Sequence, residues 1–386
     1  VIIPAKNEED YIESALHALY NQTDNRGCPL DFSVYEVLVL ANNCKDNTTA
    51  VVAKFAEQHP QIRLHLLEHN FSSQQANIGR VRRTLMDTAW NRLMSIGKPE
   101  GVIASTDADT VVDSNWIYCT LKAVEEGADA VGGRILTSAQ TSGHRLYHLQ
   151  DVTYRHLQAC LESRVDPNPY DPWPRHFQNF GPSLAVTAST YERAGRLPVV
   201  PHLEDVKFYE AMQRCDVRIR HCPKVRVTTS SRLEGRVGFG FSKQLETWGM
   251  MRQQQLAFQV PCADEWLFRF TLQRQLREAW CQQSYPKLLS VAHSSEAPVT
   301  RFRDYMVRCT YFGEFLSTVM QSDEMKEFFK RSFTLVSISE AIAQLRLLLQ
   351  NSKLNPPIQP LPVTSFPKGQ FYTVPPGGGT GVLAFQ

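Results

Sequence analysis

Apolar positions in the first 135 residues alternate between two kinds of run. Val1-Ile2-Ile3 is a short continuous apolar segment and reads as a buried strand. Ile12, Ala15, Leu16 and Leu19 then recur at helical spacing. Residues 34–40 and 62–67 repeat the strand pattern on either side of a helix whose apolar face carries Val51, Val52, Phe55 and Ala56. A longer helix is predicted over about residues 76–94, a fourth strand over 102–106, and a helix through Ile117, Leu121 and Val124 that Gly127 ends. Residues 130–136 form a further apolar segment. Asn7, Asp46 and Ser114 read as helix caps, with Glu8, Glu9 and Asp10 in the first turn after Asn7. Strands alternating with helices predict an α/β fold with a mostly parallel sheet flanked by helices.

Beyond Thr137 the pattern loosens. Residues 144–164 read as a helix and the proline-rich stretch 166–174 as a loop. A strand is expected at 183–188 and a helix at 204–213, with short strands at 217–219 and 225–227 around Pro223. From about 242 to 350 helical spacing dominates, with Trp248, Trp266, Phe268, Phe270, Leu272 and Leu276 among the apolar residues. The Pro/Gly-rich tail predicts disorder. The expected organisation is a domain over 1–240 (halves 1–135 and 136–240), a helical region over 241–352, and a tail over 353–386.

The 386 residues suffice for one large domain with a smaller one. A formal charge of +2 predicts no bulk attraction to nucleic acid or to an anionic membrane. No run of 18 apolar residues is present, so no spanning helix is expected. The polar start at Lys6 to Asp10 is no signal peptide. The chain lacks an initial Met and opens inside a strand, which predicts a truncated sequence. Nine cysteines without a C-x-x-C pair suit a reducing cytoplasm. The sequons at Asn21 and Asn47 are read as chance matches.

Asp107-Ala108-Asp109 directly follows the fourth strand. In open α/β sheets ligands bind beyond the carboxyl ends of strands. Two carboxylates there can hold a hard cation that also takes phosphate oxygens; a solvated turn is the plainer alternative. Neither G-x-G-x-x-G nor G-x-x-x-x-G-K-[ST] occurs, so phosphates must be held otherwise. The short polar side chains from Asn42 to Thr48 suit either the edge of a nucleoside or an Asx turn capping the next helix.

Val-Ile-Ile-Pro-Ala-Lys-Asn-Glu-Glu at the start, Asn-Asn-Cys-Lys-Asp-Asn-Thr after strand two and Asp-Ala-Asp after strand four together resemble family 2 glycosyltransferases. These are nucleotide-sugar-dependent enzymes of the GT-A fold, and the resemblance spans roughly residues 1–235. It implies a donor nucleotide held by Pro4, Ala5, Glu8, Asn42, Arg80, Asp107, Ala108 and Asp109. Asp109 would be the principal ligand of a divalent Mn²⁺ or Mg²⁺, with Asp107 on the ribose side. Arg80 belongs to a basic cluster with Arg82 and Arg83; it is expected at a phosphate and the others on a solvated face. Asn42 stands where the family usually has Asp; the amide keeps an acceptor and loses the charge, which leaves the donor base open.

Glu204-Asp205 resembles the family's Glu-Asp motif, in which the Asp is the general base. An acceptor hydroxyl is a poor nucleophile, and a carboxylate in reach can take its proton. The same pair would also favour a helix N-terminus. Residues 179–186 resemble the acceptor-side stretch, where Gly181 would allow close backbone approach. The Gln-x-x-Arg-Trp motif of processive relatives is absent. Arg232 or Arg236 is a candidate for the leaving diphosphate, and His221 for either a third metal ligand or a structural role. Trp173, Trp248 and Trp266 suit sugar stacking or, more simply, core packing.

The resemblance implies an inverting, metal-assisted, non-processive hexosyltransferase. It would be cytoplasmic, with peripheral membrane contact left open, and would act on a glycan, lipid or small-molecule hydroxyl. A sugar nucleotidyltransferase is the competing enzyme, disfavoured because no glycine-rich loop follows strand one. A catalytically inactive nucleotide-sugar-binding relative is the competing binding protein.

Overall fold

The computed structural model describes residues 1–137, 145–230, 247, 250, 257–284 and 301–350. The N-terminal part is β1 (Ile2–Ala5), α1 (Ile12–Tyr20), β2 (Val37–Asn42), α2 (Thr48–Gln58), β3 (Leu64–His69), α3 (Ile78–Ser95), β4 (Val102–Ser105), β5 (Thr110–Val112), α4 (Trp116–Glu125) and β6 (Ala130–Thr137). Then follow α5 (Arg145–Val165), β7 (Leu184–Thr187), α6 (Ala188–Arg193), α7 (Glu204–Arg214) and β8 (Ile219–Thr229). The C-terminal elements are β9 (Gln259–Pro261), α8 (Ala263–Cys281), α9 (Phe302–Arg308), α10 (Phe312–Gln321), α11 (Asp323–Ser332), β10 (Leu335–Ser337) and α12 (Ile338–Gln350).

Eight strands form one mixed sheet in the order β3-β2-β1-β4-β7-β6-β8-β5. Four neighbouring pairs are parallel (β2/β3, β1/β2, β1/β4, β6/β8), and β7 and β5 make the antiparallel ones. This is the mostly parallel, helix-flanked sheet expected. β1 and β2 are buried on both sides, which explains their unbroken apolar sequence. One face, with Ile3, Val39 and Ala104, packs on α1, α2 and α4 through Leu16, Phe55 and Trp116. The other, with Ile2, Leu40 and Ile103, packs on α3, α6 and α7 through Leu85, Tyr191 and Phe208. The strand order reverses between β1 and β4, the switch point at which such sheets bind ligands.

The C-terminal helices are not a detached bundle. Val260, Phe270, Ile338 and Leu345 cluster with Tyr154, Leu161 and Val165 of α5. The start of α10 is fixed to the turn after α7, where Asp216 accepts the N–H groups of Phe312 at 2.8 Å and Gly313 at 2.7 Å. Gly313 abuts the Gln213 carbonyl so closely that a Cβ would not fit.

Three local expectations change. Asn7 does not cap α1, which begins at Ile12. Asn7 has φ +52°, and its segment is tied across to the loop after β2: Glu8 N–H reaches Thr48 Oγ1 at 2.7 Å and Lys45 N–H reaches Asn7 Oδ1 at 2.7 Å. Ser114 does not cap α4, whose preceding residue is Asn115. The two short strands around Pro223 are one strand, β8; the register of β6 and β8 shifts between Gly133 and Arg134, absorbing the proline in an irregularity. The tail lies outside the described residues.

Candidate active site

The acidic triplet leaves the carboxyl end of β4 beside the switch point, and its two carboxylates have different surroundings. Asp109 Oδ2 accepts Ser230 Oγ–H at 2.6 Å, at the end of β8. Asp107 Oδ1 accepts from Arg82 Nη2 at 3.1 Å. Burial pushes the Asp107 carboxyl up to about 6, with Arg82 opposing the shift and the charges of Asp109 and Glu204 adding to it. Ala108 between them is buried.

Arg82 is the centre of this edge of the sheet. Its side chain is 5% exposed. Nε donates to Glu204 Oε1 at 3.0 Å, and Nη1 donates to Ser105 Oγ at 2.5 Å and to the Gly181 carbonyl at 3.2 Å. Burial works against its charge, yet Asp107, Glu204 and Asp205 hold its pKa above the ordinary arginine range. Sequence reasoning placed Arg82 on a solvated face. The structure turns it inward and leaves Arg80 partly exposed, with no side-chain hydrogen bond or ion pair among the described residues. A signal existed: Arg82 is three residues before Leu85 and seven before Ala89, on the buried stripe of α3.

Glu204 and Asp205 open α7, as expected. Asp205 Oδ2 accepts Gly181 N–H at 2.7 Å and Oδ1 accepts Val206 N–H at 2.8 Å. The carboxylate is thereby oriented while lone pairs stay available. Gly181 begins a single 3₁₀ turn, Gly181–Ser183. A Cβ there would stand 2.5 Å from Arg82 Nη2, so only glycine admits the guanidinium.

The other expected donor residues line the carboxyl ends of β1 and β2. Pro4 and Ala5 are buried in β1. Glu8 is buried in the following loop, and its carbonyl accepts the N–H of Ile12 at 2.9 Å. Asn42, the last residue of β2, is 5% exposed, and its Oδ1 has no hydrogen-bond partner among the described residues. A buried acceptor without a donor costs about 1–3 kcal/mol.

His221 has partners of its own. It is buried between Asp171, 2.7 Å from Nδ1, and the Tyr209 hydroxyl, 3.2 Å from Nε2. That is the structural reading of this histidine. Trp266 stacks on Phe270, whereas Trp173 is 45% exposed and tilts over His156. Arg232, Arg236 and Trp248 lie outside the described residues.

No group of three or more His, Cys, Asp or Glu side chains able to hold a metal is present among the described residues. Two adjacent carboxylates still fit Mg²⁺ or Mn²⁺, which is commonly held by one or two carboxylates plus substrate phosphates. The mutual charge of Asp107 and Asp109 is what such a cation would neutralise. No described helix is long and apolar enough to cross a membrane.

Solved structures similar to this chain include Staphylococcus aureus TarS 1-349 in complex with UDP, at 11% identity and TM-score 0.43, covering 90% of this chain and 89% of that one. Another is the mannosyltransferase PcManGT from Pyrobaculum calidifontis in complex with GDP-Man and Mn²⁺, at 18% identity and TM-score 0.39, covering 83% and 86%. A third is GalNAc-T7 with UDP, GalNAc and Mn²⁺, at 12% identity and TM-score 0.40, covering 85% of this chain and 56% of that one. No curated protein matches the chain. Residues 1–180, which include β1 to β6 and the triplet, match the family model described as glycosyl transferase family 2. Over that segment the chain is similar to glycosyl transferase family 2.

Proposed function

We propose that the protein is an inverting glycosyltransferase that moves a sugar from a nucleotide-diphosphate donor to a hydroxyl acceptor without processive elongation. The observation that carries this reading is the meeting of two distant motifs. Arg82 bonds both Asp107, on the donor side, and Glu204, next to the candidate base Asp205.

Pro4, Ala5, Glu8, Asn42 and Ala108 would line the nucleotide, with Arg80 exposed enough to reach a phosphate. Asp109 and Asp107 would hold the divalent cation, which supplies charge neutralisation at the departing diphosphate. Asp205, its carboxylate fixed by the Gly181 and Val206 amides, would accept the proton of the acceptor hydroxyl as that oxygen attacks the anomeric carbon. Attack on the face opposite the leaving group, in one displacement, inverts the anomeric centre. The nine free thiols suit a reducing compartment such as the cytoplasm.

The test is a thermal-shift titration with UDP and GDP, each with Mn²⁺, Mg²⁺ or EDTA. Cation-dependent stabilisation by one nucleotide is the expected result. The absence of a shift with both nucleotides would overturn the reading.

A further inference from the structure

Arg82 has an arrangement that the proposed chemistry does not by itself require. Its guanidinium takes four acceptors from three separate pieces of chain: Ser105 and Asp107 at and just after the end of β4, the Gly181 carbonyl, and Glu204 at the start of α7. Desolvating an arginine together with a carboxylate is expensive. An apolar pair of similar volume is often equally stable or more so. The return on such an arrangement is geometry, because a planar guanidinium fixes several acceptors at set angles, which a lysine ammonium cannot do.

The fixed points are placed in a telling way. Gly181 holds Asp205 through its N–H at 2.7 Å, while its carbonyl is held by Arg82 at 3.2 Å. Glu204, the residue before Asp205, is held by Nε of the same group. The candidate base is therefore gripped from two sides by groups that Arg82 positions. Another bond of that guanidinium goes to Asp107. The missing Cβ at Gly181 is the complementary observation, since the backbone leaves room for this side chain and nothing more.

We infer that Arg82 is a positioning residue that sets the separation between the donor-side carboxylates and Asp205. This rests on the function proposed above. Arg82 need not touch the substrate; it acts through Asp107, Glu204 and Gly181.

The experiment compares wild type with Arg82→Lys, Arg82→Gln and Gly181→Ala. For each, melting temperature, calorimetric binding of UDP and GDP with MnCl₂, and nucleotide release from a panel of UDP- and GDP-hexoses are measured. In Gly181→Ala the arginine is retained but its guanidinium is pushed aside. Its melting temperature should fall, because the displaced guanidinium loosens its buried pairs. At a temperature where the variant is folded, its nucleotide affinity should stay close to wild type, while turnover falls on the order of a hundredfold, as for a misplacement of about 1 Å. Arg82→Lys should lose turnover similarly with KM little changed, and Arg82→Gln should do no better. Wild-type turnover in folded Gly181→Ala or Arg82→Lys would overturn the inference alone. So would a turnover loss that only follows the unfolded fraction. If the Arg82 variants fail to fold, Gly181→Ala decides. A wild type that binds neither nucleotide and releases none would overturn the proposed function and this inference with it.

Discussion

Nε of Arg82 lies 3.0 Å from Oε1 of Glu204 across 122 residues of sequence, and both side chains are buried. Removing one member of such a pair strands the other. Arg82→Met should cost about 3–5 kcal/mol. The double variant Arg82→Met with Glu204→Met should recover most of that loss, because Asp107 is partly exposed and can hydrate. Urea denaturation of both singles and the double gives the coupling. Additive losses would contradict the pairing.

Asp205 and Asp109 should separate binding from turnover. Asp205→Asn keeps the shape and removes the proposed base, so sugar transfer or nucleotide release should fall by about 10²–10⁴-fold with nucleotide affinity nearly unchanged. Asp109→Asn should weaken binding of the nucleotide and of Mn²⁺ together. Calorimetry with and without Mn²⁺, beside an activity assay, distinguishes the two patterns. Equal effects on affinity would sink the division of roles.

Asn42 offers a prediction of opposite signs. Its Oδ1 is buried without a donor among the described residues, so Asn42→Leu should leave the nucleotide-free protein as stable as wild type or about 1 kcal/mol more stable. The same change should weaken nucleotide binding by roughly tenfold, the loss of one hydrogen bond. Melting curves with and without UDP or GDP report both effects. Unchanged affinity would remove Asn42 from the donor site.

Acid should destabilise the protein through the cluster around His221. His176 Nδ1 accepts Gln178 N–H at 3.0 Å, so Nε2 carries the proton and faces the Gly132 carbonyl at 3.1 Å. Burial first, then the neighbouring His221, push its pKa from 6.5 down to about 3. The unfolded chain therefore binds a proton that the folded chain refuses. Stability falls as pH drops from about 6.5 toward 3, by up to about 1.4 kcal/mol per pH unit. Asp171 acts in the same direction lower down. Burial works against its charge, but His221 and Arg175 hold it well below the usual carboxylate range, so its contribution is lost below about 3.8. In His176→Gln the decline between pH 6.5 and 4 should flatten, as circular dichroism melts would record.

The N-terminal sheet could be read from the chain because strands buried on both faces are continuous apolar runs, and β1 and β2 are buried at every position. The triplet and Glu204-Asp205 were legible for a different reason: each sits at an element end that the pattern locates. Arg82 was not, because its neighbours Arg80 and Arg83 make the segment look uniformly solvated. Only the carboxylates that pair with it, remote in sequence, make burial affordable. The Asn7 cap failed similarly, since its side chain bonds the backbone of Lys45 rather than that of its own helix. β8 was split in two because a proline in mid-strand usually ends one, and the register shift against β6 was not encoded locally.

α5 buries Leu161 and Val165 against Phe270 of α8 and Ile342 and Leu345 of α12. During synthesis that apolar face leaves the ribosome well before its partners exist. At about 5–20 residues per second the wait is on the order of ten to thirty seconds. The sheet around β1 to β4 has its main helices in hand much earlier. The nascent chain thus carries an exposed apolar helix beside the emerged β1 to β6 segment until α8 and α12 have been made.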